Sequence, residues 1–425
     1  IRDGIGDDKL IFVNSGSFHK EAWDITNGLW LEHFEGVYNS WTFFWNRYRE
    51  FMQQAKQPHI LMMDAFFNKD DFRAMRFTLG LTLLGDGYYS SESVYNHYGV
   101  NWYDEFETNL GYPTTDAQKI PGTEITVRGD HRGVYARFFD NGVVIVNPTG
   151  RMVTITDSQL KQLQGYDGPY YRFKGGQDPD FNNGQRFDSV TLYGSEIEKG
   201  DNYLIKGDAI ILLKSPKTIV SDIYLDNNKI VGNSPGSNGP KFHGKWKQFE
   251  TQGCHGRFKD NDVSPYHSWQ IAFAPWRNDV GGIYPYAYTY DTNAYAIYRP
   301  RIGVPGYYEV YEWHGKEGEC KNIGDKWVWV DGNNEATNVK YEIHHAYGTE
   351  TKLVNQRENQ GRWNYLGTYY FNKGDAGYIK ISAEDADGVV IADAIRLVYA
   401  GNNIMKRCEC GEWQNDACGT GNCAD

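Results

Sequence analysis

Acidic and polar side chains follow apolar runs near the amino end of the chain. Glu32 and Glu35 follow the run GLWL, Asp64 follows the run HILMM, and Asn14 and Asp86 follow two further apolar runs. Carboxylates are costly to bury without a function. Because the carboxyl ends of parallel strands meet at one edge of a sheet, we expect these side chains to share a cleft there.

Cleavage of a glycosidic bond needs two carboxyl groups, one protonated to assist the leaving group and one ionised as base or nucleophile. We assign these two catalytic roles to Glu32 and Asp64. Aromatic side chains suit sugar rings because they offer a flat apolar face. The predicted substrate-binding residues are the remaining polar and aromatic side chains of this region, Asn14, Trp30, Glu35, Trp41, Asp86, Tyr88 and Trp102.

Two other interpretations of the acidic residues stay open. Glu32, Asp64 and Asp86 could be oxygen ligands of a metal ion. Alternatively, Asp64 and Asp86 could simply cap loops and helices, which is the interpretation that we favour for Asp86. We predict neither a bound metal nor a cofactor.

Three other charged residues of this region are weaker candidates for the cleft. His33 should point away from it, because successive side chains alternate across a strand. Arg73 and Arg76 lie about one helical turn apart; they could pair with the acidic residues, but a solvated helix face is the simpler interpretation.

The elements that must position these residues alternate between strand and helix over residues 9–90. The segment SWTFFWNRYREFMQQAKQ has apolar residues at helical spacing, and Asp70 or Asp71 can begin the next helix. This alternation indicates βα crossovers and a parallel sheet. A complete (β/α)8 barrel has eight strands, but only four fit before residue 90, so we predict a partial barrel.

The rest of the chain is rich in strands and turns. Residues 113–215 carry short strands, with a hairpin signal at Asp140, Asn141 and Gly142, and residues 265–400 again show regularly spaced alternating strands. The predicted class is multidomain α/β plus β. Its parts are residues 1–112, the C-terminal portion of a (β/α)8-type barrel; 113–217, an antiparallel β-domain; 218–401, a β-sandwich; and 402–425, a Cys-rich tail.

The amino-acid composition indicates which kinds of partner the protein can bind. The net charge of −12 and the lack of a Lys/Arg cluster argue against a nucleic-acid partner. No window approaches the roughly 20 apolar residues of a membrane span. Aromatic residues make up 16% of the chain, including 13 Trp and 32 Tyr, which favours a polysaccharide or glycan partner.

The cysteines indicate the compartment. All six, Cys254, Cys320, Cys408, Cys410, Cys418 and Cys423, lie in the second half of the chain. Their even number fits disulfides in an oxidising compartment, whereas a zinc knot would call for paired C-x2-C arms. We therefore predict an extracellular protein, secreted or at the cell surface. Because the chain begins at Ile1 almost directly on a strand, we also expect a leader and further residues upstream.

Two motifs carry a first family resemblance. Trp102–Pro113 matches W-Y-D-E-x4-L-G-x-P, and Phe139–Pro148 matches F-x-N-G-x-V-x-V-N-P. Over residues 9–215 the sequence resembles glycoside-hydrolase-like TIM-barrel families. This resemblance implies a secreted, sugar-acting barrel with its acid at the end of the Glu32 strand and a second carboxylate near Asp64. The missing strands would then come from upstream or from a partner chain, or else the barrel is degenerate and inactive.

A second resemblance covers residues 220–400. Its marks are A-T-N, I-H-H-x-x-G, V-N-Q, G-x-W-x-x-L-G and A-D-A-I-R, at Ala336–Asn338, Ile343–Gly348, Val354–Gln356, Gly361–Gly367 and Ala392–Arg396. These marks are similar to the golvesin C-terminal-like domain, also found on xanthan lyases. The resemblance implies a carbohydrate-associated β-sandwich of a secreted protein. Within it, His344, His345 and Asp393 are predicted to hold the sandwich together, and Cys254 and Cys320 could form a disulfide across it.

The sequence therefore favours a secreted glycoside-hydrolase-like protein that acts on or binds extracellular polysaccharide. The alternative is a non-catalytic structural or glycan-binding protein that assembles into a fibre or surface layer. Its partners would be the missing barrel half or other copies of itself, since an exposed sheet edge favours pairing with another chain. A polysaccharide lyase is a third interpretation, based only on the proteins in which the golvesin-like domain occurs.

Overall fold

The computed structural model describes Gly4, Gly6 and residues 8–34, 40–93, 101–199, 202–227, 234–248, 287–315, 318–323, 326–402, 405–407 and 413–415. The chain forms two compact units. The first comprises Ile1–His97 and Tyr103–Ile219, and the second comprises Tyr98–Trp102 and Val220–Asp425. Strands outnumber helices in the described part of the chain, as the β-rich prediction requires.

The first unit begins with a parallel sheet and two helices. The strands are β1, Phe12–Ser15; β2, Gly28–Glu32; β3, Ile60–Phe67; and β4, Tyr88–Ser93. The helices are α1, Trp41–Gln54, between β2 and β3, and α2, Phe72–Leu83, between β3 and β4. The strands pair in the order β1-β2-β3-β4, each parallel to the next. The alternation of strands and helices is as predicted, while a partial barrel stays a prediction.

Both helices form where the sequence predicts them. α1 begins after Ser40, whose hydroxyl accepts a hydrogen bond from the Phe43 amide. α2 begins after Asp71, whose carboxylate accepts one from the Ala74 amide at 3.0 Å. The buried side of α1 is the predicted apolar stripe, Trp41, Phe44, Trp45, Tyr48 and Phe51. No described helix is both long enough and apolar enough to cross a bilayer.

The remainder of the first unit consists of short strands, a 3-10 helix at Asp104–Glu107 and one short α-helix, α3, Asp157–Leu160. The strands β5 to β17 are, in order, Gln118–Lys119, Ile125–Val127, Asp130–Arg132, Tyr135–Phe139, Gly142–Asn147, Val153–Thr156, Tyr171–Arg172, Lys174–Gly175, Ser189–Leu192, Ser195–Lys199, Asn202–Lys206, Asp208–Leu213 and Thr218–Ile219. Five of them form an antiparallel sheet in the order β11-β16-β9-β8-β5. The turn between β8 and β9 lies at Asp140 and Asn141, which confirms the predicted hairpin.

α2 packs closely against this antiparallel sheet. A Cβ added to Gly80 would lie 2.6 Å from the Cβ of Ala209 and 2.9 Å from a methyl group of Val146. A side chain at this position would therefore push the helix away from β9 and β16. Residues of both sheets and both long helices share one hydrophobic core.

The second unit contains two facing antiparallel sheets. The strands β18 to β33 are, in order, Ile223–Asp226, Lys241–His243, Lys247–Gln248, Ala287–Thr289, Tyr295–Tyr298, Gly306–Trp313, Gly318–Ile323, Lys326–Asp331, Val339–His345, Gly348–Val354, Trp363–Phe371, Tyr378–Ser382, Val390–Ala392, Ala394–Gly401, Met405–Arg407 and Trp413–Asn415. The first sheet has the order β18-β31-β23-β28 and the second β19-β22-β29-β26-β27. Residues of both sheets, including Val310, Leu397, Tyr341 and Ile381, share one core.

Candidate active site

One face of the parallel sheet carries most of the residues that the sequence singled out. Across the four strands, Asn14 pairs in register with Trp30, Trp30 with Met62, and Met62 with Tyr88. Residues paired in register point to the same face of a parallel sheet. The opposite face carries Leu29, Leu31, Leu61, Met63 and Ala65, which are all buried in the core. A ligand could therefore reach the sheet only from the polar and aromatic face, on which Asn14, Glu32 and Tyr88 are exposed.

Glu32 and Asp64 are neighbours on this face. They pair in register across β2 and β3, and Asp64 pairs in turn with Ser90 on β4. Glu32 is exposed, and its Oε1 accepts a hydrogen bond of 2.8 Å from the side-chain amide of Asn14. Asp64 is completely buried. The two carboxylates thus stand side by side in unlike surroundings, which is a property of acid and base pairs in glycosidases.

His33 and Glu92 join Asp64 in a cluster that the sequence did not predict. His33 has a φ of 48°, and its ring stacks on Phe66 with the ring centres 4.6 Å apart. Ligand atoms of His33, Asp64 and Glu92 all lie within 4.8 Å of one another. The prediction that His33 points away is wrong, because the positive φ breaks the alternation of the strand. One imidazole and two carboxylates can hold a divalent metal ion, so this cluster is a better metal candidate than the three acidic residues considered from the sequence.

Two predicted residues lie elsewhere in the first unit. Asp86 precedes β4, so it lies at the amino edge of that strand and not at the carboxyl edge. Its exposed carboxylate pairs with Arg137 at 2.7 Å. Trp41 is 3% exposed and stacks on Trp45 within the core. The structure therefore does not bring Asp86 or Trp41 to the side chains of Glu32 and Asp64.

The remaining predicted residues lie in the second unit or outside the described residues. Trp102 is half-exposed and belongs to the second unit. Glu35 lies outside the described residues. Cys320 lies on β24, and the other five cysteines, Cys254, Cys408, Cys410, Cys418 and Cys423, also lie outside the described residues. The substrate-binding role of Trp102 and Glu35 stays a prediction, and so do the disulfides.

A buried ionic cluster in the first unit was missed from the sequence. Arg76 is 7% exposed, so the prediction of a solvated face is wrong for this residue. Its guanidinium donates to Asp208 at 3.1 Å and to Asp178 at 2.5 Å. Glu105 belongs to the same cluster and accepts a hydrogen bond of 2.9 Å from Asn182. The cluster joins α2 to β16 and to the loop before β13.

Burial raises the pKa of Glu105 to about 7, and repulsion by the adjacent Asp104 acts in the same direction. The charge of Arg76 and the hydrogen bond from Asn182 oppose this rise only in part. Burial likewise raises the pKa of Asp208, again against the effect of Arg76. The partners of Glu105 are Arg76 and Asn182 and not Glu32 or Asp64, which favours a structural role for this residue.

Glu105 should make the first unit less stable as the pH rises from about 4.5 to about 7. The folded state holds this proton more tightly than the unfolded state, so its contribution is complete below the ordinary pKa and is lost as the pH passes through the raised one. The expected loss is about 3 kcal/mol of unfolding free energy. Urea denaturation across this pH range would measure it, and Glu105→Gln should flatten the dependence. An unchanged slope in that variant would assign the effect to another group.

Two family descriptions match parts of the chain. Residues 1–143 match "Hypothetical glycosyl hydrolase family 15", and residues 326–399 match "Golvesin C-terminal domain". Both resemblances predicted from the sequence are thereby confirmed.

Comparison with individual proteins gives more distant similarities. A xanthan lyase of Bacillus sp. (strain GL1) is 30% identical over 122 residues, which cover 27% of this chain and 12% of the lyase. The structure of a Paenibacillus xanthan lyase matches with 19% identity and a TM-score of 0.29, covering 68% of this chain and 26% of the lyase. A β-glucuronidase of Bacteroides uniformis matches with 11% identity and a TM-score of 0.21, covering 91% and 48%.

In each of these comparisons the chain spans less than half of the relative's length. Both TM-scores are too low to support an argument about the fold. The chain is therefore similar to the hypothetical glycosyl hydrolase family 15 over residues 1–143 and to the golvesin C-terminal domain over residues 326–399.

Proposed function

We propose that this protein acts on an extracellular polysaccharide and that its first unit cleaves glycosidic bonds with Glu32 and Asp64 as paired carboxylates. The observation that carries the proposal is the pairing of these two residues in register on one sheet face. Neighbouring strands lie about 4.8 Å apart, and the carboxyl groups of retaining glycosidases lie about 5 Å apart. The match to a glycosyl hydrolase family over the same residues supports this chemistry.

The surroundings of the pair suit a sugar ligand. Glu32 is exposed and can contact a sugar directly, while Asn14 fixes its carboxylate through a hydrogen bond. Trp30 and Tyr88 lie on the same face, one register row before the carboxylates, and Tyr88 is 61% exposed. An exposed aromatic ring beside a carboxylate can bind the apolar face of a sugar ring.

The test is incubation of the full chain with a panel of neutral and acidic polysaccharides. Hydrolysis releases reducing ends without a product that absorbs in the ultraviolet. A product that absorbs there would identify a lyase instead and would contradict the proposal. Cleavage that depends on added Mn²⁺ or Zn²⁺ would favour the His33, Asp64 and Glu92 cluster over the paired carboxylates.

The location and the assembly of the protein are part of the same proposal. An extracellular location is supported by the even number of cysteines, which suits an oxidising compartment. Among the described strands, β1 and β4 each have one neighbour in the parallel sheet. An open strand edge favours pairing with another strand, so we propose that further barrel strands, from another part of the polypeptide or from a second copy, pair there.

Glycan binding without cleavage is the second candidate function, and a surface of the second unit favours it. Tyr224, Arg396, Tyr311 and Tyr365 form one register row across the sheet β18-β31-β23-β28. All four are at least partly exposed, whereas their strand neighbours Leu225 and Ile395 are buried in the core. The rings of Tyr311 and Tyr365 lie 5.4 Å apart, and the Arg396 guanidinium lies 5.6 Å from the Tyr224 ring. We call these four residues the aromatic row.

The aromatic row should bind a polysaccharide through stacking on its rings. Tyr365→Ala removes the most exposed ring and should weaken binding about 3- to 10-fold, because an aromatic contact contributes about 0.5–1.5 kcal/mol. Affinity electrophoresis in gels that contain the polysaccharide would measure the loss. Tyr290→Ala removes an exposed ring from just after β21, outside the aromatic row, and should leave binding unchanged. Equal losses in both variants would show that the aromatic row is not the binding surface.

A further inference from the structure

A buried acidic site in the second unit lacks the partners that it needs. Asp393, just before β31, is completely buried, and within the described part of the chain neither of its carboxylate oxygens has a hydrogen-bond partner. Asn227, just after β18, is 4% exposed, and its side-chain oxygen has no hydrogen-bond partner among the described residues either. A buried polar oxygen without a donor is expensive, and a buried carboxylate is far more so.

The backbone holds these two residues together. β18 and β31 are antiparallel, with Asp226 paired to Ala394, and the Asn227 amide donates to the Asp393 carbonyl at 3.0 Å. The Tyr298 hydroxyl donates to the same carbonyl at 3.1 Å. Asp226 itself is 1% exposed. The end of β18 and the start of β31 therefore carry three buried residues with oxygen-bearing side chains: Asp226, Asn227 and Asp393.

Negative charge accumulates around Asp393. Besides burial, the charges of Asp226 and Glu312 raise its pKa. Glu312 does not supply a hydrogen bond to Asp393, because its own oxygens accept hydrogen bonds from His314, Tyr341 and Asn364. A bound cation would offset the repulsion between the carboxylates, because it supplies positive charge. It would also give the unpartnered oxygen atoms a partner, because they would become its ligands.

We propose that the side-chain oxygens of Asn227 and Asp393 bind a calcium ion beside the buried carboxylate of Asp226. One carboxylate and one amide oxygen, with a second buried carboxylate nearby, offer only oxygen ligands, which suit a hard cation. Calcium fits better than magnesium because it accepts backbone carbonyls and irregular geometry. The ion would fasten the end of β18 to the start of β31 and so stabilise the sheet that carries the aromatic row. This site is separate from the residues proposed for cleavage.

The test uses the full chain after removal of metal by a chelator. Addition of calcium chloride should raise the unfolding temperature of the second unit by at least about 4 °C, and magnesium should have a much smaller effect. Asp393→Asn removes one ligand charge and should weaken the calcium response at least about tenfold. The control Asp385→Asn changes a carboxylate that is 79% exposed in the same unit, and it should respond as the parent does.

A direct binding measurement covers the case in which Asp393→Asn does not fold. Terbium binds calcium sites, and tyrosine excitation should sensitise its luminescence here because Tyr298 contacts the Asp393 backbone. Calcium should displace the signal, and Tyr298→Phe should reduce it. Absence of both a thermal shift and a luminescence signal would overturn the proposal and leave Asp393 as a protonated acid. A calcium response that persists unchanged in Asp393→Asn would also overturn it.

Discussion

Glu32→Gln is expected to lower the rate of polysaccharide cleavage by about 10³-fold. Glutamine has nearly the same shape as glutamate and can keep the hydrogen bond from Asn14, but it can neither give up nor take on the proton that glycosidic cleavage moves. The sheet should therefore stay intact while the chemistry is lost. The measurement is the release of reducing ends from the polysaccharide that the parent protein cleaves best, at saturating substrate.

Two further variants decide how this loss is interpreted. Asp64→Asn should also lower the rate strongly if the two carboxylates work as a pair, and the double variant should then be little worse than either single variant. Glu21→Gln changes an exposed carboxylate on the connection between β1 and β2 and should leave the rate unchanged. Full activity of Glu32→Gln would exclude the paired-carboxylate mechanism, and the glycan-binding function would then be the better account.

The parts of the fold that the sequence predicts well are those with a local cause. The spacing of apolar residues in α1 and the capping carboxylate of Asp71 each act within one or two helical turns. The Asp140 and Asn141 turn likewise depends only on adjacent residues. Each of these signals lies within one short segment of the sequence, so no tertiary information is needed to find it.

The candidate site was predicted only in part, because strand boundaries depend on neighbouring strands. Glu32 ends β2 as expected, but β3 runs three residues beyond Asp64 to Phe67. Asp86 comes before β4, so it was assigned to the wrong edge of the sheet. His33 and Glu92 were missed for another reason. The positive φ of His33 reverses the direction that alternation predicts, and no local pattern indicates it.

Ion pairs between residues far apart in the sequence are even harder to predict. Arg76 is separated from Asp178 by 102 residues and from Asp208 by 132 residues. An arginine one helical turn from another arginine is typical of a solvated face, and that description still suits Arg73, which is only partly buried and lies 3.8 Å over the Tyr193 ring. Apolar residues beside Arg76 in α2, such as Met75 and Phe77, do show that most of this helix is buried.

Arg76→Met is expected to lower the unfolding free energy of the first unit by about 3–5 kcal/mol. Methionine fills much of the same space, but it leaves Asp208 and Glu105 buried without their positive partner, and removal of one member of a buried ionic group has a cost of this size. The contact between the Arg76 guanidinium and the Phe181 ring, at 3.6 Å, is lost as well. Urea denaturation at neutral pH, followed by calorimetry to separate the two units, would measure the change.

Two comparisons distinguish the loss of charge from a loss of packing. Arg73→Met removes a similar side chain from the same helix without the buried carboxylates and should cost no more than about 1 kcal/mol. The effect of Arg76→Met should be smaller at pH 5 than at pH 8, because Glu105, with a pKa of about 7, is neutral at the lower pH and does not need the arginine. The double variant Arg76→Met with Asp208→Asn should recover part of the stability, since it removes one of the stranded charges. A loss that is the same at both pH values and is not recovered in the double variant would assign the role of Arg76 to packing against Phe181.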